Sequence, residues 1–252
     1  MPRYFLELAY KGTRYSGFQI QENAVTVQWE IEKAMGILYR QPFSLTGSSR
    51  TDAGVHAAKN YFHFDTELDI DPQSIYHLNA ILPPDIVAKS IQQVKEDAHC
   101  RFNAIAREYE YFIYQQKDPF KADRAWFYPY ALDLDILQET ASILLEYKDF
   151  TSFSKRNTQV NNFNCTLEYS YWEKNEDFLV YRVKANRFLR GMIRGLVGTM
   201  VKTARGKITA DQFRAVIVSK DCTKADFTSP AHGLFLVNVI YPESVFSCSK
   251  SG

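Results

Sequence analysis

Two strand-like segments in the second half of the chain are separated by a turn of four residues, and this spacing restricts the fold strongly. CTLEYSYWEK and DFLVYRVKA are rich in aromatic and β-branched residues, and they flank the polar turn Lys174-Asn175-Glu176-Asp177. Parallel strands need a crossover of about a dozen residues or more. The two segments therefore predict an antiparallel hairpin.

Strand-like and helix-like segments alternate along the rest of the chain, which favours an α+β fold with a largely antiparallel sheet. Alternation of apolar residues predicts strands, and apolar residues at helical spacing predict helices. The predicted strands are residues 3–10, 59–66, 85–94, 107–116 and 234–242. The predicted helices are residues 27–38, 71–81, 134–147 and 187–205, with one more capped by Thr209.

The chain has 252 residues, enough for one large domain or two modest ones. Both halves mix strands with helices, and the division falls near residues 96–105. We therefore expect an N-terminal half over residues 1–103 and a C-terminal half over residues 104–252.

Composition is that of a globular protein, with 46% hydrophobic and 23% charged residues. No stretch approaches the roughly 18 to 20 apolar residues that span a bilayer, and no export signal is recognisable. Cys100, Cys165, Cys222 and Cys248 form no C-x-x-C pair, so reduced thiols, a cytoplasmic location and no metal site are expected.

Basic residues are concentrated in one interval although the net charge is only +1. No acidic residue lies between Asp177 and Asp211. A polyanion such as nucleic acid would bind such a zone, whereas an ordinary solvated helix face usually intersperses acids. The basic residues of the interval are Arg182, Lys184, Arg187, Arg190, Arg194, Lys202, Arg205 and Lys207.

The predicted helix over residues 187–205 contains three glycines: Gly191, Gly195 and Gly198. Each costs up to about 1 kcal/mol relative to alanine in a helix interior. This cost predicts that another group packs within backbone distance of the helix, on the side that carries its basic residues. Arg194 lies among these glycines and is the arginine expected to enter a pocket.

The loop GSSRTDAGVHA carries Arg50, Asp52 and His56 among residues too small to fill a core. One interpretation is a plain polar turn. Another is a reactive carboxylate: a pair between Asp52 and Arg194 would keep the carboxylate ionised and nucleophilic. A single histidine here is more often structural than catalytic, and no adjacent side chains complete a metal site.

Tyr109 and Tyr111 share one face of the strand REYEYFIYQQ. Aromatic side chains on a strand can stack on nucleobases, although half-buried sheet tyrosines are commoner. Both interpretations stay open at this point.

Six stretches resemble, in the same order, the sequence blocks of the tRNA pseudouridine synthase A family. RTDAGVHA is similar to the family's G-R-T-D-x-G-V-H-A loop, which carries a nucleophilic aspartate. Lys11 and Ser49 stand where the family generally has aspartate and glycine. The other five stretches are YKGTRYSGFQ, CRFNAIAREYEYFIY, DFTSF, NRFLRGMIRGLVGTM and SPAHGLFLVNVIYP.

The resemblance implies that uridine is isomerised to pseudouridine in the anticodon arm of tRNA, at positions 38–40, with no metal or small-molecule cofactor. By motif position, Asp52 is implied to be the nucleophile and Arg194 its partner. Tyr109 is implied to lie against the uracil and is a candidate for removing the C5 proton. Arg50 is implied to hold the nucleotide out of its stack, and Leu234 to pack against the base.

The resemblance further implies a curved, mainly antiparallel sheet made of two ferredoxin-like halves flanked by helices, and a homodimer that binds tRNA across both subunits. The basic helix is expected to contact phosphates through Arg187, Arg190, Lys202 and Arg205. No membrane association is expected.

Two other classes of protein remain as alternatives. A non-catalytic RNA-binding module would keep the basic residues and tyrosines but would have no use for Asp52. An aspartyl-nucleophile hydrolase would carry D-x-D-x-T after an apolar strand, with paired aspartates for magnesium. Asp52 follows Arg50-Thr51 and has no such pair, so the hydrolase is the weaker alternative.

Overall fold

The computed structural model describes residues 1–156 and 160–246, so Cys248 lies outside the described residues. The helices are α1 (Val27–Tyr39), α2 (Ile75–Ile81), α3 (Leu134–Ile143), α4 (Met192–Ala204) and α5 (Ala210–Val218). The strands are β1 (Arg3–Tyr10), β2 (Thr46–Gly47), β3 (His56–Asp65), β4 (Ile86–Val94), β5 (Ala106–Tyr114), β6 (Trp126–Phe127), β7 (Leu167–Lys174), β8 (Leu179–Ala185) and β9 (Leu234–Ile240).

The chain forms two compact units, and each is a mixture of strands and helices. One unit comprises Met1–Ala106 with the segment that begins at Leu236, and the other comprises Arg107–Phe235. The C-terminal strand β9 thus divides between the two units, and the division of the chain into two halves at residue 103 stays a prediction. Strand pairing within each unit is antiparallel except for β5 with β6. The expected α+β class with largely antiparallel strands is confirmed.

In the first unit, β1 lies between β4 and β3 and pairs antiparallel with both. One face of β1, made of Tyr4, Leu6, Leu8 and Tyr10, is buried. Phe5, on the opposite face, is buried as well. Its ring contacts the rings of Tyr61, His63, Tyr241 and Phe246. β1 is therefore covered on both faces, which the alternating pattern alone did not predict.

Local signals place the shorter elements close to where the sequence predicted them. The Asp71 side chain accepts the amide hydrogen of Gln73 at 2.9 Å and caps a 3₁₀ turn, after which α2 begins at Ile75. Thr209 and Gln212 form a reciprocal capping box at the start of α5. The helix predicted to end at residue 147 instead passes into a 3₁₀ turn after Ile143.

In the second unit, the predicted hairpin is confirmed, since β7 and β8 pair antiparallel and β5 pairs with the other edge of β8. Helices α3 and α4 pack against each other, and α3 also packs against β7. Trp172 of β7 is buried, and its indole N–H donates to the sulfur of Met200 at 3.4 Å. The hairpin thus supplies one wall of the core that surrounds α4.

Helix α4 begins five residues later than predicted, which corrects the expectation of a helix over residues 187–205. Gly191 is its N-terminal cap and has a φ of +74°, a left-handed conformation that cannot continue a helix backwards. Arg187 and Arg190 therefore precede the helix. Within α4 nearly every residue is buried, and only Arg194 and Lys202 are not.

The two glycines inside α4 are explained by the chain itself. A Cβ at Gly198 would lie 2.2 Å from the carbonyl oxygen of Asp226, and one at Gly195 would lie 2.7 Å from the ring of Phe227. The sequence correctly predicted a close neighbour at these glycines. The neighbour of Gly198 is the backbone carbonyl of Asp226, and the neighbour of Gly195 is the side chain of Phe227.

Within the described ranges, no helix combines the length and the apolar character needed to cross a bilayer.

The substitution Gly198→Ala should lower the free energy of unfolding by about 1–3 kcal/mol, because the new methyl group overlaps a backbone carbonyl. Gly36→Ala in α1 is the matched control, since its Cβ would meet only the Gln41 carbonyl oxygen at 3.6 Å. It should stabilise the protein by up to about 1 kcal/mol through helix propensity. Urea unfolding of both variants tests this, and effects of the same sign would contradict it.

Candidate active site

The loop between β2 and β3 alternates between buried and accessible residues. Ser49, Thr51 and Val55 are buried, whereas Arg50 is exposed and Asp52 is half-buried. The buried residues anchor the backbone on both sides of the carboxylate. Asp52 therefore extends from a fixed backbone and not from a free surface turn.

A buried hydrogen-bond network holds this loop against the sheet. Asn60 of β3 is fully buried, and its Nδ2 donates to the carbonyl oxygen of Ser49 and to the hydroxyl of Tyr10, both at 3.1 Å. The Tyr10 hydroxyl in turn lies 2.8 Å from Thr51 Oγ1. The amide of Tyr61 donates to Asn60 Oδ1 at 2.9 Å. No sequence motif indicated Asn60, and its one local signal is an amide among the aromatic residues of a predicted strand.

The segment YKGTRYSGFQ packs directly against the loop, which explains its glycines. A Cβ at Gly12 would lie only 1.9 Å from the carbonyl oxygen of Val55. Gly17 has a φ of +101°, and the amide of Phe18 donates to the carbonyl oxygen of Thr51 at 3.1 Å. Side chains larger than hydrogen at these glycines would force the loop away. The two sequence motifs therefore form one structural unit.

His56 has a structural role in this arrangement. It is buried, and its Nδ1 accepts the amide hydrogen of Gly12 at 3.1 Å. A nitrogen that accepts this bond carries no proton of its own. The contact fixes the end of the loop. It explains why a histidine is present at this position without giving it a catalytic role.

The residues that lead into the loop are tied to the C-terminal segment of the same unit. The amide of Ser48 donates to the carbonyl oxygen of Tyr61 at 2.8 Å. The Tyr241 hydroxyl lies 3.0 Å from Ser48 Oγ and also donates to the carbonyl oxygen of Cys100. Tyr241 is a second positioning residue that the sequence analysis missed, because its contacts come from distant parts of the chain.

In the second unit, Arg194 is held by backbone carbonyls. Its Nε donates to the carbonyl oxygen of Ser229 at 2.7 Å, and one terminal nitrogen donates to that of Phe227 at 3.4 Å. Ser229 is buried, and its hydroxyl donates back to the carbonyl oxygen of Arg194 at 2.8 Å. These bonds fix the plane of the guanidinium group in the first turn of α4.

The two strand tyrosines have different environments. Tyr109 is half-buried, and its ring meets that of Phe188 edge-on at 5.1 Å. Tyr111 is fully buried, and its hydroxyl donates to the carbonyl oxygen of Pro230 at 2.8 Å. Burial also raises the pKa of Tyr111 above its ordinary value. Base stacking by Tyr111 is therefore excluded, and Tyr109 alone retains that possibility.

The turn that precedes β9 brings some of the predicted site residues together. A Cβ at Gly233 would lie 2.7 Å from the Tyr111 ring, so the turn packs tightly on that tyrosine. Leu234 follows directly and is buried. The same turn region supplies the Ser229 carbonyl that binds Arg194. One segment thus positions both Arg194 and Leu234.

The predicted phosphate-binding residues separate into two groups. Arg187 and the exposed Arg190 precede α4, whereas Lys202 and Arg205 lie at its other end. Eight residues of helix place Lys202 about 12 Å along the axis from Arg194. The Arg205 guanidinium lies 4.2 Å from the centre of the Tyr130 ring, a cation–π contact.

Two other basic residues of the acid-free interval are neutralised by neighbouring strands. Arg182 pairs with Glu110 and Glu173, and Lys184 pairs with Glu108 and Glu168. The sequence predicted a continuous basic zone because all four acids lie outside the interval, Glu168 and Glu173 on the other arm of the hairpin and Glu108 and Glu110 on the earlier strand β5. The structure restricts the zone to residues at and beyond Arg187.

Among the described residues, one group of side chains has the composition and spacing to hold a metal ion: His63, His99 and Cys100. Burial lowers the pKa of His63 to about 4. His99 and Cys100 are adjacent in the sequence, but the cysteine spacing gave no indication of the cluster because the third member, His63, comes from β3.

The half-buried carboxylate of Asp52 lies on a fixed loop of the first unit, and the second unit holds the anchored Arg194 and the basic residues around α4. The family model described as tRNA pseudouridine synthase matches residues 8–103 and 144–242. This chain belongs to that family.

Relatives match the chain over nearly its whole length. A tRNA pseudouridine synthase A from Parabacteroides distasonis is 44% identical over 248 residues, which are 98% of each chain. Another from Bacteroides thetaiotaomicron is 44% identical and covers 98% of this chain and 93% of its own. That from Bacillus subtilis is 38% identical and covers 93% of this chain and 97% of its own.

The substitution Tyr10→Phe should lower the free energy of unfolding by about 1–3 kcal/mol, because Thr51 and Asn60 each lose a buried partner. Tyr4→Phe is the matched control on the same strand face, since the Tyr4 hydroxyl makes only a 3.5 Å contact with the Leu68 carbonyl oxygen. Urea unfolding measures both variants. Equal losses would show that the Tyr10 hydroxyl does not hold the loop.

Proposed function

We propose that this protein isomerises uridine to pseudouridine in tRNA and that Asp52 is the nucleophile. The observation that carries the proposal is that Asp52 lies on a fixed loop with a half-buried carboxylate. This loop lies within the residues that the family model matches. We further propose that the target uridines lie in the anticodon arm, at positions 38–40.

The reaction breaks the bond from N1 of uracil to C1′ of the ribose and forms a bond from C5 to C1′. N1 gains a proton and C5 loses one, so the sum of atoms is unchanged and no electrons are transferred. The reaction therefore needs no redox cofactor. Asp52 would act by attacking C1′, by attacking the base, or by drawing a proton from the sugar.

We propose that Arg194 pairs with the Asp52 carboxylate during the reaction. A cation beside a carboxylate favours the ionised form, which is the nucleophilic one. Two of the Arg194 donors are already used by the carbonyls of Ser229 and Phe227. The orientation of the remaining donors is thereby fixed, which lowers the entropic cost of holding a carboxylate.

Recognition of the uracil falls to three side chains in this proposal. Tyr109 lies against the base and is the candidate for removing the C5 proton, while Leu234 packs against the base. Arg50 is exposed on the Asp52 loop and would hold the nucleotide out of its stack, a displacement that costs a few kcal/mol. Small residues around Asp52 leave the space that a flipped nucleotide requires.

The tRNA backbone would be bound by the basic residues at the two ends of α4. Arg187 and Arg190 lie at one end, and Lys202 and Arg205 lie at the other. Among the described residues, Lys202 has no carboxylate within ion-pair distance, unlike Lys184. Lys202 is thus available for a phosphate.

Three finer features are proposed with this function. Each half of the chain, divided near residue 103, would have a ferredoxin-like arrangement, and the sheet would be curved. The protein would act as a homodimer with tRNA bound across both subunits. Its place of action would be the cytoplasm, where tRNA is modified.

The test of the proposed chemistry is tritium release from tRNA labelled at C5 of uridine. Wild type should release tritium without added metal, and Asp52→Asn should reduce release to background while tRNA binding stays within a few-fold. Asp69→Asn, an exposed aspartate of the same unit, should retain full activity. Release by Asp52→Asn would refute the role of Asp52. Tight binding without release by wild type would favour the non-catalytic RNA-binding protein.

The double variant Lys202→Gln/Arg205→Gln should bind tRNA more weakly and show a shallower salt dependence. Each lost phosphate contact should reduce the slope of log K against log salt by about 0.7–0.9. Lys121→Gln/Lys184→Gln also removes two positive charges, but both are paired with carboxylates, so its slope should be unchanged. Filter-binding titrations over a range of salt concentrations measure both. Equal slopes for wild type and the first variant would place the RNA elsewhere.

A further inference from the structure

A cluster of soft metal ligands lies in the first unit, apart from the residues assigned to uridine chemistry. His63 comes from β3, whereas His99 and Cys100 follow β4. Their candidate ligand atoms all lie within 4.8 Å of one another. We propose that His63, His99 and Cys100 form a binding site for one Zn²⁺ ion.

The spacing of two of the ligand atoms is close to that of a zinc site. His63 Nδ1 lies 3.1 Å from Cys100 Sγ. Ideal tetrahedral coordination, with Zn–S near 2.3 Å and Zn–N near 2.0–2.1 Å, separates a nitrogen and a sulfur by about 3.6 Å. An opening of about 0.5 Å therefore admits the ion between them. Thiolate and imidazole together are a donor set that suits Zn²⁺ better than Mg²⁺ or Ca²⁺.

Binding requires defined proton movements. The Cys100 thiol now donates to the carbonyl oxygen of Thr46 at 3.0 Å. When the zinc–sulfur bond forms, this proton passes to solvent and the contact with Thr46 is lost. His63 binds through Nδ1 and keeps its proton on Nε2, so it remains a neutral ligand.

His99 has to exchange two weak contacts for the metal. Its Nδ1 accepts the amide hydrogens of Arg101 at 3.1 Å and Phe102 at 3.4 Å. Coordination through Nε2 moves the ring proton to Nδ1 and gives up both contacts. The half-buried ring lies 4.6 Å from that of His63, centre to centre, so it needs little displacement to reach a shared ion.

A cavity beside His63 offers the ion an entry path and has room for a water molecule as the fourth ligand. It has a volume of about 720 Å³, and His63 and Thr46 form part of its lining. A water molecule from this cavity can occupy the remaining tetrahedral position. Arg3, which also lines the cavity, is held in a two-point pair by Asp65, with both N–O distances at 2.7 Å. This pair offsets the positive charge that would otherwise repel Zn²⁺.

The position of the site gives the ion a structural role. Thr46 of β2 is paired with His63 of β3, and β2 leads into the Asp52 loop. The Cys100 carbonyl accepts the hydroxyl of Tyr241, which also contacts Ser48 at the start of that loop. A zinc ion would therefore join β3 to the segment after β4 at the base of the loop. It would raise stability without touching the substrate.

The proposal is tested on the full-length protein after removal of bound metal with a chelator. Zn²⁺ is titrated in competition with a chromogenic chelator, and Co²⁺ is used as a spectroscopic probe. Wild type should bind one ion per chain, and Co²⁺ should produce a thiolate-to-metal charge-transfer band. Cys100→Ser should abolish the band. Both Cys100→Ser and His99→Ala should weaken Zn²⁺ binding by about 100-fold or more.

Two control variants remove the same residue types elsewhere. Cys222→Ser and His77→Ala should bind Zn²⁺ as wild type does, because Cys222 is half-buried in the second unit and His77 is exposed on α2. His99 is half-buried, so His99→Ala should fold even if Cys100→Ser does not, and circular dichroism checks this. Absence of Zn²⁺ binding by wild type, binding unchanged in His99→Ala, or a Co²⁺ complex without the thiolate band would overturn the proposal. The cluster would then be a histidine–cysteine hydrogen bond only.

Discussion

The arrangement of the Asp52 loop depends on the buried side chain of Asn60. Its amide joins β1, the loop and β3 through the Tyr10 hydroxyl, the Ser49 carbonyl and the Tyr61 amide. Each of these groups is shielded from water, so the loss of one bond leaves a polar atom without compensation. This cost makes a loop of small residues as well defined as the strands beside it. A carboxylate on such a loop can be accessible and still be held in one place.

Close backbone contact is the second constraint, and both units use it. In the first unit, Gly12 lets the carbonyl of Val55 approach, and in the second, Gly198 admits the carbonyl of Asp226. The first contact fixes the end of the Asp52 loop. The second places the segment that supplies carbonyl partners to Arg194. In each unit a proposed catalytic side chain thus lies beside a contact that only glycine permits.

Electrostatics within the second unit decide which basic residues remain for RNA. Arg182 and Lys184 lie on β8 between two strands that carry glutamates, and their charges are compensated there. Among the described residues, Lys202 at the end of α4 has no carboxylate within ion-pair distance. The buried surface of helix α4 is almost entirely apolar, so the arginine and lysine residues are confined to the two ends of the helix. The basic surface is therefore a consequence of where α4 is buried.

Local patterns in the sequence determined the hairpin of β7 and β8, the capped starts at Asp71 and Thr209, and the mixture of strands and helices. These features depend on residues within a few positions of one another. The motif order also indicated Asp52, Arg194 and Tyr109 as site residues, and their roles stay predictions. Only the tertiary structure decided that α4 starts after Gly191, that Tyr111 is buried, and that His63 meets Cys100. Tyr111 meets Pro230, His63 meets Cys100 and Gly191 packs against Lys155, so each feature depends on a partner far away in the chain. Periodicity and caps carry no information about such partners.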